Sequence, residues 1–269
     1  MDTHVHFWDH AEPGLAWAWL GELDAPRYGP SELVAEAGEA APAALVHVAA
    51  AHPVEDPATE TAWLQRVGDE HGLPSAIVAG VALAQPGAAD LMRRHRQFSR
   101  LRGVRDLAPD APRASAMAVV VELGCSVELR RPHGRLAELV SVARRDPDVT
   151  VTLSHACFPA GRSLGDLEAW SNGLRALAAL PNVVCKISAV AGPDVEGWSP
   201  AAMRPWMLSC VERFGPDRCV LGSNWPVDRR VGSYRALVDA YREVLDELTA
   251  RERAAVLHGT AERVYGIRS

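Results

Sequence analysis

The sequence predicts an α/β protein built as a distorted TIM-like (β/α)8 barrel in a single domain, and three observations carry that prediction. Apolar runs of strand length rich in β-branched residues recur eight times, segments of helical period separate them, and the eight units fill about 250 residues, the usual size of such a barrel. Strands that alternate with helices pair in parallel through crossovers.

The runs, in order, are "DTHVHF", "ALVHVAA", "AIVAGVAL", "LRGVRDL", "CSVEL", "VTVTLSH", "VVCKIS" and "CVLGSNW". Between the first two, the segment from Trp8 to Pro30 contains Trp17, Trp19 and Tyr28 and exceeds an ordinary βα loop, so it is read as a lid or an irregular surface loop. The best-defined helix follows the eighth run. In "GSYRALVDAYREVLDEL", Tyr234, Leu237, Val238, Tyr241, Val244, Leu245 and Leu248 fall on one stripe at 3.6-residue spacing, with charged residues largely opposite. Thr249 and Glu252 then have capping-box spacing, which starts a terminal helix over residues 250–269. No linker, repeat or low-complexity tract divides residues 1–269.

At 269 residues and 29.0 kDa with 48% hydrophobic residues, the chain buries a large core. A formal charge of −6 without a basic block gives nucleic acid no electrostatic footprint, so a small molecule is the expected partner. There is no apolar run long enough for a membrane span and no signal-peptide pattern, and the expected location is cytoplasmic. Cys125, Cys157, Cys185, Cys210 and Cys219 are odd in number and never spaced as CxxC, so reduced, buried thiols are expected. Oligomeric state is not legible.

Barrels of this type react substrates at the C-terminal ends of their strands. There the runs carry His4 and His6, then Arg102 and Arg105, Glu128 and Arg130, His155, Lys186 and Ser188, and Ser223 with Asn224. His4 and His6 share strand parity and project to one face, whereas Arg102 and Arg105 have opposite parity, so at most one faces the lumen. This ring suits an anionic substrate or a developing oxyanion. Lys186 lies mid-strand and is a candidate substrate anchor, with Glu128 either a second contact or its salt-bridge partner. Trp8 and Trp225 are candidates to wall the pocket. His47, His52 and His133 read as ordinary core or surface histidines. Ser154 and Ser223 lack the G-x-S-x-G context of a serine nucleophile.

In "DTHVHFWD", "LRGVRDL", "LSHACFP" with downstream Trp170, "LPNVVCKIS", "FGPDRCVLGSNWPVD" and "LHGTAERVYGI", the sequence resembles the amidohydrolase superfamily, in particular its amidohydrolase 2 branch of sugar-lactone and dicarboxylate lactonases. The resemblance implies hydrolysis of an ester-like ring, with His4, His6 and His155 as the site histidines. Across the superfamily such histidines bind one or two divalent metals, whereas several lactonases of this branch work without one. The fourth and fifth strands here offer Arg102, Arg105 and Glu128 in place of a carboxylated lysine or a further histidine. The expectation is therefore that no cofactor is required, the alternative being one divalent metal, most likely zinc, on His4, His6 and His155.

Asn224 departs from the family pattern, whose eighth strand ends "GSDWP". An amide has no protonation equilibrium near neutral pH and is no general base. Asp228, Glu128 or His155 is then expected to handle the proton, with Asp228 the first choice and Asn224 positioning water. The expected function is opening of a lactone or related cyclic ester of a small carboxylated or polyhydroxylated molecule. Arg105 and Lys186 would hold the substrate's anion and His4, His6 and His155 would polarise its carbonyl. Two alternatives are a metal-dependent decarboxylase of an aromatic acid and a non-catalytic or impaired pocket protein left by the Asp-to-Asn change.

Overall fold

A computed structural model describes residues 1–17, 25–51, 55–159, 161–192 and 197–268. Eight parallel strands follow one another in sequence order: β1 (Asp2–Val5), β2 (Leu45–Val48), β3 (Ala76–Val81), β4 (Leu101–Asp106), β5 (Ser126–Leu129), β6 (Val151–Leu153), β7 (Val183–Ile187) and β8 (Cys219–Leu221). Each lies within one of the eight apolar runs. The sheet curls until Val5 bridges Trp225 in parallel, with the Asn224 N–H donating to His4 O at 2.8 Å and the His6 N–H to Trp225 O at 2.8 Å. At Gly222 a Cβ would lie 2.4 Å from the His4 Cβ, so glycine is what lets the end of β8 close against β1. The result is a single-domain TIM barrel.

Strand parity sorts the core into two environments. Val127, Leu129, Val151, Leu153, Val183, Cys185 and Ile187 pack outward against the helices. Residues of the other parity, Val46, Val48, Val78, Val184 and Val220, meet Ala261 and Tyr265 inside the barrel. Those last two belong to the C-terminal helix Thr260–Tyr265, so the chain's final helix lies under the lumen. The helix Tyr234–Leu245 buries Tyr234, Leu237, Ala240, Tyr241, Val244 and Leu245, the amphipathic stripe read from its spacing. Thr249 caps the next helix, and the Glu252 carboxylate accepts its backbone N–H in return.

Between β1 and β2, Trp8–Asp9 and Arg27–Tyr28 pair as a short antiparallel ribbon. Trp19 and His52 lie outside the described residues. All five cysteines are free and buried. Among the described residues, no helix is long and apolar enough to cross a membrane.

Candidate active site

The C-terminal ends of the strands carry an unusual backbone. His155, Ala156 and Cys157 have φ of 52°, 47° and 50°, and Ala189 and Asn224 have φ of 55° and 57°. Left-handed geometry at non-glycine residues is sparse and gathers where a structure must aim a side chain. After β6 the turn is held by Trp170, whose indole N–H donates to Ala156 O at 3.0 Å, and it directs His155 Nδ1 to Ser188 Oγ at 2.8 Å.

That turn brings His155 to His4 and His6 at the end of β1. The His4 and His155 ring centroids are 4.5 Å apart, and His4 Nε2 lies 3.2 Å from His6 Nε2. His6 Nδ1 is 2.8 Å from Val48 O, and a carbonyl only accepts, so Nδ1 carries the hydrogen and Nε2 is an acceptor. Burial, followed by neighbouring cations and imidazoles, lowers the pKa of all three rings well below the ordinary histidine value. They are therefore neutral near pH 7. His47 behaves as the core histidine expected: it is fully buried against Phe7, and burial takes its pKa to about 3.

His6, His155 and Asn224 open onto a cavity of about 420 Å³ whose other walls include Arg105, Arg130 and the Ala49–Ala51 segment. Of the two arginines of opposite parity, Arg105 is the one that lines the cavity, and its Nη1 donates to Ala49 O at 3.0 Å. Arg102 bonds instead to the Ser99 and Leu101 carbonyls. Past Arg105 and Arg130 a wider cleft continues to His133 and Arg135. Guanidinium groups thus border the route in, which suits an anionic guest.

Several candidates occupy other places than those expected. Lys186 does not reach the cavity: it is fully buried, ion-paired with Glu128 Oε2, and lies 5.5 Å from the Tyr265 ring centroid. Its mid-strand position sets it deeper than the strand ends. Burial acts to lower its pKa, but Glu128 and Tyr265 outweigh it and the net shift is upward. Glu128 is buried with it, its other oxygen 3.6 Å from His4 Nδ1. Trp8 and Trp225 are core residues rather than pocket walls. Trp8 packs on Tyr28 and donates to Ala25 O, and Trp225 packs on Phe7 and Tyr28 and donates to Glu36.

Asp228 lies behind Asn224 and off the cavity wall, so it does not face a guest directly. The 3-10 turn Val227–Arg230 folds it back, and Asn224 Nδ2 donates to its Oδ1 at 2.7 Å. Burial, partly offset by that bond, raises its pKa to about 7. One contributor went unrecognised in the sequence. Glu60, buried in the helix Ala58–His71, accepts the Ala50 and Ala51 N–H groups at 2.7 and 2.9 Å and so fixes a cavity wall. Its pKa too is raised to about 7 by burial.

The Amidohydrolase family model matches residues 1–267. This chain belongs to the amidohydrolase family. The amidohydrolase is 31% identical over 291 residues to an L-fucono-1,5-lactonase of Burkholderia ambifaria, covering 99% of this chain and 95% of that one. A Burkholderia multivorans protein of the same description is 30% identical over 291 residues, covering 99% and 96%. Among solved structures, an amidohydrolase from Burkholderia multivorans with bound zinc superimposes with a TM-score of 0.85 at 26% identity, covering 99% of each chain.

A zinc ion could be held here only if enough donors converge. The 3.2 Å between the Nε2 atoms of His4 and His6 matches one edge of a tetrahedron with Zn–N bonds of about 2.0–2.1 Å. Among the described residues, however, no group of three His, Cys, Asp or Glu side chains gathers around a point that could hold an ion. Among the described residues, the His4 and His6 nitrogens are thus a pair without a third such donor gathered around them.

Proposed function

We propose that this amidohydrolase hydrolyses a lactone or related cyclic ester of a small carboxylated or polyhydroxylated molecule, using its own side chains without a required metal. The observation that carries the reading is one cavity faced by two neutral imidazoles and Asn224 on one side and by Arg105 and Arg130 on the other. The likeness to two L-fucono-1,5-lactonases supports the same class of reaction.

In this reading water sits against the imidazoles, with His6 Nε2 accepting one of its hydrogens. Its oxygen bonds to the lactone carbonyl carbon while the carbonyl π pair moves onto oxygen, and the proton it gives up is taken by an imidazole. Collapse of the tetrahedral adduct breaks the ring C–O bond, and the departing oxygen takes that proton. The product is one open-chain hydroxy acid. Arg105 and Arg130 take the substrate's carboxylate, the part first given to Arg105 and Lys186. Asn224, its amide held by Asp228, orients water or substrate with its remaining hydrogen-bonding capacity.

Lactone opening releases acid, so a pH indicator follows it directly. Against a panel of sugar and carboxylated lactones, His155→Ala is expected to lose about 10²-fold or more in kcat. Arg105→Met is expected to raise KM for carboxylated lactones more than for neutral ones. Equal rates for wild type and His155→Ala would remove His155 from the reaction, and a wild type inert on every lactone would overturn the reading.

A further inference from the structure

Arg105, Leu107 and Arg130 line both the cavity and the wider cleft outside it, so together they form the neck between the two spaces. Two of these are cations that suit the guest's anion. Leu107 offers only hydrocarbon, and it is 47% exposed. Val34, Val121 and Leu164 are the other large hydrophobic side chains exposed to this degree or more among the described residues, and none of them lines the cavity. A lone exposed leucine is ordinary, but this one shares its cavity with Ala49, Ala50, Ala51 and Val227, which together make an apolar wall.

The end of β4 puts the leucine there. Arg105 and Leu107 have the same parity, and the Leu107 N–H continues the ladder to Val81 O at 3.0 Å. Gly80 of β3 pairs with Arg105 in register. A Cβ on Gly80 would lie 3.0 Å from Leu107 Cδ1 and 3.2 Å from Ala49 Cβ, so glycine leaves the room in which those two methyl groups flank one spot. The Arg105 guanidinium is bonded to the carbonyl of the same Ala49 and has further N–H donors for a guest. Charge and hydrocarbon are therefore adjacent.

The backbone of this wall has little to offer a hydroxyl. Ala49 O accepts from Arg105, the Ala49 N–H donates to Val78 O, and the Ala50 and Ala51 N–H groups go to Glu60. A guest hydroxyl turned to these methyl groups gives up its bonds to water and gains none, whereas a guest alkyl group removes hydrocarbon of both partners from water.

We propose that Leu107 is a specificity-determining residue: the site takes an acid whose carboxylate meets Arg105 and Arg130 while an alkyl group beside it covers Leu107 and Ala49, and it rejects a fully hydroxylated acid of the same length. Joined to the lactone reading, on which the identity of the ring rests, this makes the substrate an alkyl-bearing lactone acid.

The preference is readable without turnover. Acetate, butanoate and hexanoate serve as probes, with gluconate as the fully hydroxylated counterpart of hexanoate, and affinities come from the probes' own NMR signals. Wild type is expected to bind the alkyl acids about threefold more tightly per added methylene, and gluconate no more tightly than acetate. In protein with ¹³C-labelled leucine methyls, the signals lost in Leu107→Ser identify Leu107, and these shift with hexanoate. Leu107→Ser is expected to flatten the series to less than about 1.5-fold per methylene while acetate changes less than about twofold, and Arg105→Met to weaken all the alkyl acids alike. With alkyl-bearing lactone acids, Leu107→Ser is expected to raise KM by about tenfold and to change kcat much less. Gluconate bound as tightly as hexanoate, unmoved Leu107 methyls, or an equally steep series in Leu107→Ser overturns the proposal. The wild-type series and its methyl shifts decide it even if a variant fails to fold. The expected series in a chain that opens no lactone would remove the lactone reading and support this one.

Discussion

Asn224 gives one hydrogen of its side-chain amide to Asp228 Oδ1 at 2.7 Å, so the residue at the end of the eighth strand is held by a carboxyl four positions later. The family's aspartate is absent from this position, yet a carboxyl with a pKa of about 7 stands directly behind it. The arrangement works as amide plus carboxyl, and replacing the amide by a second acid alters it.

Asn224→Asp places two carboxyls within hydrogen-bonding distance, and these cannot both ionise without strong repulsion. Hydrolysis by this variant is expected to fall about tenfold at pH 8 and to recover towards pH 6, where the pair keeps one proton. Rate profiles over pH check this. A gain of about 10²-fold would instead mark the natural chain as impaired.

Asp228→Asn tests the other side of the contact through stability. The folded chain keeps a proton on Asp228 up to about pH 7, whereas the unfolded chain loses it near 3.8. The folded state therefore binds more protons across that window, and its stability falls as pH rises through it. Three pKa units correspond to about 4 kcal/mol as an upper bound. An asparagine at 228 still offers an oxygen to Asn224 but does not titrate. Thermal unfolding at pH 5 and pH 8 should show its advantage over wild type growing with pH.

Glu60→Ala removes the acceptor of two N–H groups in the cavity wall and leaves both unsatisfied, a cost of about 1–3 kcal/mol each where water cannot replace it. The variant is expected to lose several degrees in Tm and to raise KM. Glu60→Gln retains an oxygen for the same bonds and should lie near wild type in both. Similar losses in the two variants would mean that charge, rather than the bonds to Ala50 and Ala51, is what matters.

Because the described donors for a metal stop at His4 and His6, dialysis against a chelator is expected to leave hydrolysis unchanged. Protein purified without chelators should carry well under one zinc per chain by elemental analysis. Activity that is lost on dialysis and returns with added zinc would contradict this.

Much of this site was readable because strand periodicity is a strict rule. Alternation put His4 and His6 on one face and separated Arg105 from Arg102, and the strand count placed His155 and Asn224 at the same rim. Depth and partnership were less legible. Lys186 has lumen parity, but parity does not say how far below the rim a side chain stops or that Glu128 waits two strands away. Trp8 and Trp225 stand beside site residues in sequence yet point into packed aromatic contacts, since a side chain's neighbours in space are set by tertiary packing. Glu60 gave no signal: it comes from a helix, and its partners are backbone groups of a loop whose residues are alanines. Asp228 was accessible because four residues of a tight turn return a side chain to its starting point.

The placement of Tyr265 bears on how the molecule is made. The strand β1, which leads into the two site histidines, leaves the ribosome well before the helix that lies beneath the Lys186–Glu128 ion pair. Until residues 260–265 have emerged and docked, the Lys186 ammonium has water below it in place of an aromatic ring. Competence is thus withheld from any growing intermediate that still lacks this helix.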